Sequence, residues 1–558
     1  MKGLISQGSI REPLRAADLL CLIFSACCGR MSVWVKRGLN GMESRKHFLK
    51  LFGWVALVNI LARLLGFVRE MILAYYFGAS AATDAFLLAY TIPNFLYLVV
   101  GGALTTAIIP YLVGDVEPQE RWDKANALVN QLLFGFTLLL VCGELWPLTF
   151  ISWLSPEAPA ATLAEGARLY QIMLPAAFFL MAGSIFTGML NAHRRFQLAA
   201  VAYLSLNLAV ILFLLAGARP VGIAAAAWGV LAGAVSFAFL QAVQLYRIGY
   251  RYRLRMSHPG TSRIFLVSVP IALGGAVMPL YALVSRFFAG GLPEGSIAAF
   301  NYGMLLMQLP LTVLVGTFAN LLFPGIAEDA RGGQYSRMAD TFIRGTRMAI
   351  LSLVPLAAYL SAFASEIVQM LLGYGAFTAG DAVRTASALA VLAWGLPFHA
   401  LNLFWLRFFY SLEDNWRPVL ASLAVVLLLN GLLSWFLRPA FGLNGLAAAV
   451  SVTGLLNSVW LWGLIQSKLP LREHARTILI LLLQVALPTG AATAISLGIK
   501  SWLAAQTGFW FHLPAPGAAC LHLFAGGVSG LAVLLIGYRL LRVKELAIIR
   551  RYLPGTHR

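Results

Sequence analysis

The chain has 558 residues, 60% of them hydrophobic and 11% charged, with a mean hydropathy of +0.80 and a formal net charge of +19. A water-soluble protein of this length needs a charged shell of about a quarter of its residues, so a soluble globular fold is excluded. The positive excess does not point to nucleic acid, because the Lys and Arg residues stand in short loops between apolar runs, where they set membrane orientation.

The first forty residues are unlike the rest. The apolar run 19–28 is too short to cross a bilayer. No small-residue signal-peptidase site clearly follows it, and Cys27, behind Phe24, Ser25 and Ala26, makes a poor lipoprotein site. Residues 1–41 are therefore read as a doubtful extension, with translation starting at Met42, where Arg45, Lys46 and Lys50 give a basic start. Cys21, Cys27, Cys28, Cys142 and Cys520 have neither metal-site nor disulfide spacing.

Apolar runs long enough to cross a core of ~30 Å then recur at 51–77, 84–112, 125–153, 169–192, 198–217, 221–246, 264–290, 296–326, 340–363, 384–410, 418–437, 442–466, 476–503 and 517–541. They predict an all-α polytopic membrane protein of about fourteen transmembrane helices. With the N-terminus in the cytoplasm, the loops after even-numbered spans should be the basic ones. Those loops hold Arg121 and Lys124; Arg194 and Arg195; Arg247, Arg251, Arg253, Arg255 and Arg263; Arg331 and Arg337; Arg417; and Lys468 and Arg472. The tail adds Arg539, Arg542, Lys544, Arg550 and Arg551, whereas the opposite loops offer only Arg168, Arg219, Arg384, Arg438 and Lys500. This alternation predicts a multi-pass inner-membrane protein with both termini cytoplasmic.

The chain also repeats itself. Ala85 and Phe86 match Ala299 and Phe300, 214 positions on, and Gly102 and Pro110 match Gly316 and Pro324 at the same offset. Leu174-Pro175 matches Leu396-Pro397, VGIAAAA (221–227) aligns with NGLAAAV (444–450), and Asn207 pairs with Asn430. Six spans per copy give both copies the same orientation, with a substrate site expected between them. The domain reading is an N-lobe at 42–250 (spans 1–6), a C-lobe at 251–468 (spans 7–12), and two extra helices with a basic tail at 469–558.

Ionisable residues inside spans are the informative ones, since each costs at least ~2.5–3.5 kcal/mol at mid-bilayer. The first span carries Arg63, Arg69 and Glu70. Arg63 and Glu70 are seven apart and share a face, with Arg69 roughly 120° round and Gly66 between them permitting a bend. Glu70 can neutralise one arginine, and the other, lacking a local partner, favours a wet cavity that receives an anion, which guanidinium groups bind bidentately. Asp84 opens the second span, where helix capping and substrate contact both remain open. Asn94 follows Pro93, which should kink its helix and free backbone groups toward the cavity. Arg286 either snorkels to the interface or faces the cavity. His399 and Arg407 share a face of the tenth span and are read as packing residues; Glu144 lies near a span and Glu366 is placed at the outer water interface. There is no metal spacing, P-loop, dinucleotide motif or triad order, so an enzyme, cofactor or metal site is not expected. Any transport then draws on an ion gradient, the membrane potential or the substrate gradient.

The stretch ARLLGFVREMILAYYFGASAATDAFLLAYTIPNFL (62–96), followed by GGAL and Pro110, closely resembles the signature of the lipid II flippase family (MurJ/MviN) of the multidrug/oligosaccharidyl-lipid/polysaccharide exporter superfamily. Weaker similarity runs through SIAAFNYGMLLMQLP (296–310), YGAFTAGDA (374–382) and FYSLEDNWRPV (409–419), and it covers nearly everything after Met42. The resemblance implies two six-helix lobes facing a cationic cavity, plus two helices forming a groove for a polyprenyl tail. It carries the family's first-span arginines onto Arg63 and Arg69 and its aspartate onto Asp84. Where many members have paired arginines or an Asn-Arg, this chain has Tyr97 and Leu98, and Met304 and Leu305, which bears on the substrate more than on the fold.

The expected function is alternating-access flipping of a polyprenyl-diphosphate-linked sugar, most simply the peptidoglycan precursor lipid II, with Arg63, Arg69, Glu70, Asp84, Asn94 and Arg286 as substrate-binding residues and the bilayer and a coupling ion as further partners. Another undecaprenyl-linked oligosaccharide is the nearest rival. A cation-coupled drug exporter would prefer acidic cavity residues, a membrane glycosyltransferase would show a carboxylate cluster or DxD-like motif, and a scaffold would gain nothing from intramembrane arginines. Mass spectrometry of the mature N-terminus checks the start site: the expected terminal residue is Met42, and any peptide from 11–30 refutes it.

Overall fold

The computed structural model describes residues 42–112, 118–256, 258, 261–311, 325–471, 475–505, 515–541 and 543. The expectations placed on residues 1–41, Gly316, Pro324, Arg472, Arg542, Lys544, Arg550 and Arg551 lie outside them, as do the side chains of Arg45, Lys46, Lys50 and Arg263. The chain divides into two compact units. Of the unit formed by Met1–Leu57 and Lys544–Arg558, the helical run from Met42 is described. The other unit, Val58–Val543, carries all the side chains discussed below.

Among the described residues there is helix and no strand, as a chain in hydrocarbon must have when no water is present to satisfy open backbone groups. The first group of helices comprises α1 (Met42–Phe77), α2 (Ala81–Phe95), α3 (Gly102–Leu112), α4 (Pro118–Leu145), α5 (Pro147–Leu154), α6 (Ala160–Ala192), α7 (Phe196–Val221) and α8 (Ala224–Arg247). The second comprises α9 (Thr261–Ala289), α10 (Ser296–Pro310), α11 (Tyr335–Ala362), α12 (Ala364–Leu372), α13 (Ala379–Leu392), α14 (Leu396–Ser411), α15 (Trp416–Ala424) and α16 (Gly431–Ile465). Two more, α17 (Ala475–Ala505) and α18 (Ala515–Leu540), pack on each other and against α11 and α12.

The stretches read as spans are mainly helix over their described parts, the third being divided at Trp146 between α4 and α5. By length and hydropathy, eleven described runs can cross a membrane. One of them, the 50-residue run Trp416–Ile465, is broken at Gly442, whose φ of 55° and ψ of −130° no helix accommodates. Pro93 does not end its helix: α2 runs through it and opens into a π-helical turn, Leu96–Gly101, where the Leu96 N–H bonds to the Ile92 and Pro93 carbonyls. Likewise α1 runs unbroken through Gly66, whose bare face meets Asn207 of α7.

Inside the first group α6 is central, packing on α2, α3, α4 and α8, while α7 lies along α8. Apolar lipid offers helices no hydrophobic reason to associate, so close approach through small residues matters. A Cβ on Gly229 would come within 2.7 Å of the Val210 Cα, and one on Gly233 within 2.8 Å of the Leu206 carbonyl. The second group pairs α10 with α13, α11 with α14, and α13 and α14 with α16; α9 bridges both groups, touching α3 and the first π turn as well as α15 and α16. The link between the groups is an extended segment laid along α4. Asn126 donates to the Arg251 carbonyl, and Asn130 to those of Arg253 and Arg255, at 3.0–3.2 Å. The expected result for Gly229→Val is loss of monodisperse protein in detergent, because the new methyls meet α7 backbone and not a movable side chain; size-exclusion chromatography beside the wild type checks it.

Candidate functional site

A cavity of about 200 Å³ opens between α1 and α2 on one side and α9 and α10 on the other. Four of the six residues singled out from the sequence line it: Arg69, Glu70, Asn94 and Arg286. The other two lie elsewhere. Arg63 is exposed on α1 and is not part of the lining. Asp84 is buried at the start of α2, outside the lining.

The two cavity arginines are held differently. Nη2 of Arg69 lies 2.5 Å from Oε1 of Glu70, Nη1 donates to Oδ1 of Asn207 at 3.2 Å, and the guanidinium carbon stands 5.9 Å from the Tyr90 ring centroid. The sequence left open which arginine Glu70 neutralises; the pair is with its neighbour Arg69. Glu70 keeps its second oxygen, Oε2, buried and without a hydrogen-bond partner among the described residues. Asn207 also donates to the Ala62 carbonyl at 3.2 Å, so α7 fixes both the arginine and the backbone of its helix.

Arg286 has no carboxylate on it among the described residues. Nη1 donates to Oγ1 of Thr91 at 2.6 Å, and Nη2 to Oδ1 of Asn301 at 3.2 Å. Thr91 can accept because its own proton goes to the Leu87 carbonyl at 2.7 Å. Arg286 is thus drawn inward from α9 by one neutral oxygen on α2 and one on α10, which answers the choice between snorkelling and facing the cavity. The positive charge remains available, since neutral acceptors orient a cation without cancelling it.

Asp84 caps a helix, but not its own. Ser80 supplies the N-cap of α2, accepting from the Thr83 N–H at 3.5 Å. The Asp84 carboxylate instead accepts from the Gly295 and Ala298 N–H groups, both at 2.7 Å, at the N-terminus of α10. Orphan N–H groups and the helix dipole both favour an anion there. Gly295 is required at this junction: its φ is 83°, and a Cβ would stand 1.8 Å from the Ala79 carbonyl oxygen. At the same end of the helices, Asp381 accepts from the Thr378 and Ala79 N–H groups at 2.9 and 3.4 Å. The Ala376 N–H reaches the Tyr75 carbonyl at 2.8 Å, and Arg438 forks onto Glu157 at 2.6 and 3.3 Å. The first and second groups are therefore joined at the Phe77 end by a row of polar contacts.

Other residues noted from the sequence serve packing. His399 is buried against Tyr281, ring centroids 5.1 Å apart, away from the cavity. Glu366, expected at the outer water interface, has a buried side chain 2.6 Å from Nζ of Lys500, tying α12 to α17. Sequence reasoning missed Asn301 and Gln308 as cavity residues and Thr91 as an anchor of Arg286, although Asn301, Met304, Leu305 and Gln308 show the three- and four-residue spacing of one helix face.

Comparison with known proteins follows the same lines. The family model described as Lipid II flippase MurJ matches residues 73–515. The lipid II flippase MurJ of Burkholderia cenocepacia is 30% identical over 424 residues, 72% of this chain and 81% of that protein. The probable lipid II flippase MurJ of Bdellovibrio bacteriovorus is 29% identical over 488 residues, 84% and 91%. Among solved structures, an inward closed conformation of lipid II flippase MurJ superimposes with a TM-score of 0.74 at 20% identity, covering 87% of this chain and 99% of that one. An inward-facing multidrug resistance MATE family transporter of the MOP superfamily gives 0.61 at 15% identity, covering 73% and 94%.

Replacing Asp84 by Ala leaves two α10 N–H groups without an acceptor. The expected cost is on the order of 2–4 kcal/mol, with Asp84→Asn losing less because one oxygen remains. Thermal unfolding midpoints of the purified proteins should therefore order wild type above Asn above Ala.

Proposed function

The chain belongs to the lipid II flippase MurJ family, and from that premise we propose that it carries lipid II, a polyprenyl-diphosphate-linked sugar, from the inner to the outer leaflet of the bacterial cytoplasmic membrane by alternating access. The observation that carries this reading is that Arg69 and Arg286, one from each helical group, line a single cavity. A diphosphate is the anion two converging guanidinium groups suit.

The N-terminus is cytoplasmic in this reading, so the Phe77 end faces outward. The exposed Arg63, six residues before Arg69 on α1, meets the diphosphate first. Arg69 and Arg286 then receive it at about 9 Å further along the helix, while the polyprenyl tail stays in the bilayer beside α17 and α18. The sugar-diphosphate cannot cross hydrocarbon unaided, and a cavity of fixed charges and amides replaces the water it gives up. Opening outward breaks the Asp84 bonds to α10. Because Arg286 is anchored on α2 and on α10 at once, the same motion loosens its grip on the anion. Glu70, with one oxygen already on Arg69, competes for that arginine as the load leaves.

Met304 and Leu305, which line the cavity where a further family cation would stand, favour as second reading a different undecaprenyl-linked oligosaccharide. The drug-exporter reading fares less well, since Glu70, the acidic residue of the lining, is spent on Arg69. Complementation in a bacterium depleted of its own lipid II flippase tests the proposal. Wild type should restore growth, whereas Arg69→Ala and Arg286→Ala should not, at matched membrane levels; Arg63→Ala should restore it poorly. Rescue by both cavity variants would remove the anion site, and no rescue by a well-expressed wild type would shift the cargo to the second reading.

A further inference from the structure

The cavity wall is built from two copies of one helix. Leu87, Tyr90 and Asn94 line it from α2, and Asn301, Met304 and Gln308 from α10. Taken in order, each pair is 214 positions apart, the offset that also relates Ala85 to Ala299. Two of the pairs are unlike in chemistry, leucine with Asn301 and tyrosine with Met304. The third supplies a carboxamide from each helical group: Asn94 and Gln308.

Neither of these amides has a hydrogen-bond partner among the described residues, and both are half-buried at the cavity surface. Asn301 differs, since its oxygen is occupied by Arg286. A carboxamide left dry and unpaired is unfavourable, so this pair is suited to whatever occupies the space. Asn94 lies three residues beyond Thr91, and Gln308 seven beyond Asn301, the two residues that anchor Arg286. The amide level therefore lies one to two turns, roughly 5–10 Å, from those anchors. Its neighbours Met304 and Leu305 bring no charge. The part of a ligand that fits here is uncharged, rich in donors and acceptors, and attached within about a ring's length of an anion.

Resting on the transport reading above, we propose that Asn94 and Gln308 form the subsite for the first sugar of the carried lipid, an uncharged hexose read through its hydroxyl or amide groups. Each carboxamide offers two N–H donors and an acceptor oxygen, which matches a sugar's mixed rim, whereas an unprotonated phosphate uses the donors alone. Arg69 and Arg286 then fix the cargo by its anion, and the amide pair decides what may be attached to that anion.

The test uses the full-length protein in lipid nanodiscs and two probes: a polyprenyl diphosphate, and the same lipid bearing one N-acetylated hexose. The wild type should bind the sugared lipid about tenfold more tightly, and an Asn94→Leu, Gln308→Leu double variant should bind it about tenfold more weakly than wild type, with the preference gone. Asn94→Gln should keep the preference, and Arg286→Ala should weaken both lipids. If the double variant keeps the preference, or loses affinity for both lipids alike, the amide subsite is refuted while the carrier reading stands. If the wild type binds neither probe, the carrier reading itself falls, and the subsite with it.

Discussion

A guanidinium group placed at membrane depth has to be held without being neutralised, and the rest of this structure follows from how that is done. A full carboxylate partner would make Arg286 stable but useless to an anion, and no partner would leave it costly and disordered. Two neutral oxygens, on Thr91 and Asn301, take the middle course. They stand on α2 and α10, helices from the two groups, so the geometry of the charge is inseparable from the arrangement of the groups. Arg69 is more nearly cancelled, because Glu70 lies against it. Counting Arg69 and Arg286 against Glu70, the lining carries one formal positive charge.

The seam at the Phe77 end is built to the same logic, with the roles of charge and neutral group exchanged. There a carboxylate, Asp84, is held by the backbone N–H groups of Gly295 and Ala298, and these bonds are buried. The Glu157–Arg438 fork across the same end has its carboxylate more than half exposed. Exposed ion pairs contribute about 0–1 kcal/mol and weaken with salt, whereas buried charge-assisted bonds contribute more and are screened less. The Asp84 cap therefore sets the strength of this closure, and the outer pair adds mainly register. Gly295 makes the cap possible, since only a residue without Cβ lets α10 begin so close to Ala79.

Much of this was legible in the sequence for a simple reason: charge in an apolar run is conspicuous. Arg69, Glu70 and Arg286 stood out, and each lines the cavity. What stayed hidden was contact between distant positions. Asp84 read as a possible cap of its own helix, but its acceptor oxygens serve N–H groups 211 and 214 positions away. Asn207 was visible as a repeat mark and not as the clasp on Arg69, and Glu366 looked like an interface residue because Lys500, its partner, lies on a helix outside the repeat. Gly66 and Pro93 were read as places to bend; the first helix instead runs unbroken past Asn207 of α7, and the second passes through Pro93 into a π turn. Amides such as Asn301 and Gln308 are common enough in apolar helices that only placement reveals their use.

The likeness in fold to MATE transporters sharpens the point that the scaffold does not choose the cargo. What distinguishes one guest from another is then the set of side chains that α1, α2, α9 and α10 bring to the cavity. A cation entering this cavity would meet Arg286, which has no carboxylate bonded to it among the described residues, while an anion would find two guanidinium groups already oriented. Reversing that preference would take more than deleting an arginine, because Thr91 and Asn301 would be left as neutral acceptors with nothing to hold, and Glu70 would lose the partner that occupies its Oε1. Selectivity is therefore a property of the held set, arginines together with the oxygens that aim them, and it changes only when the set changes together.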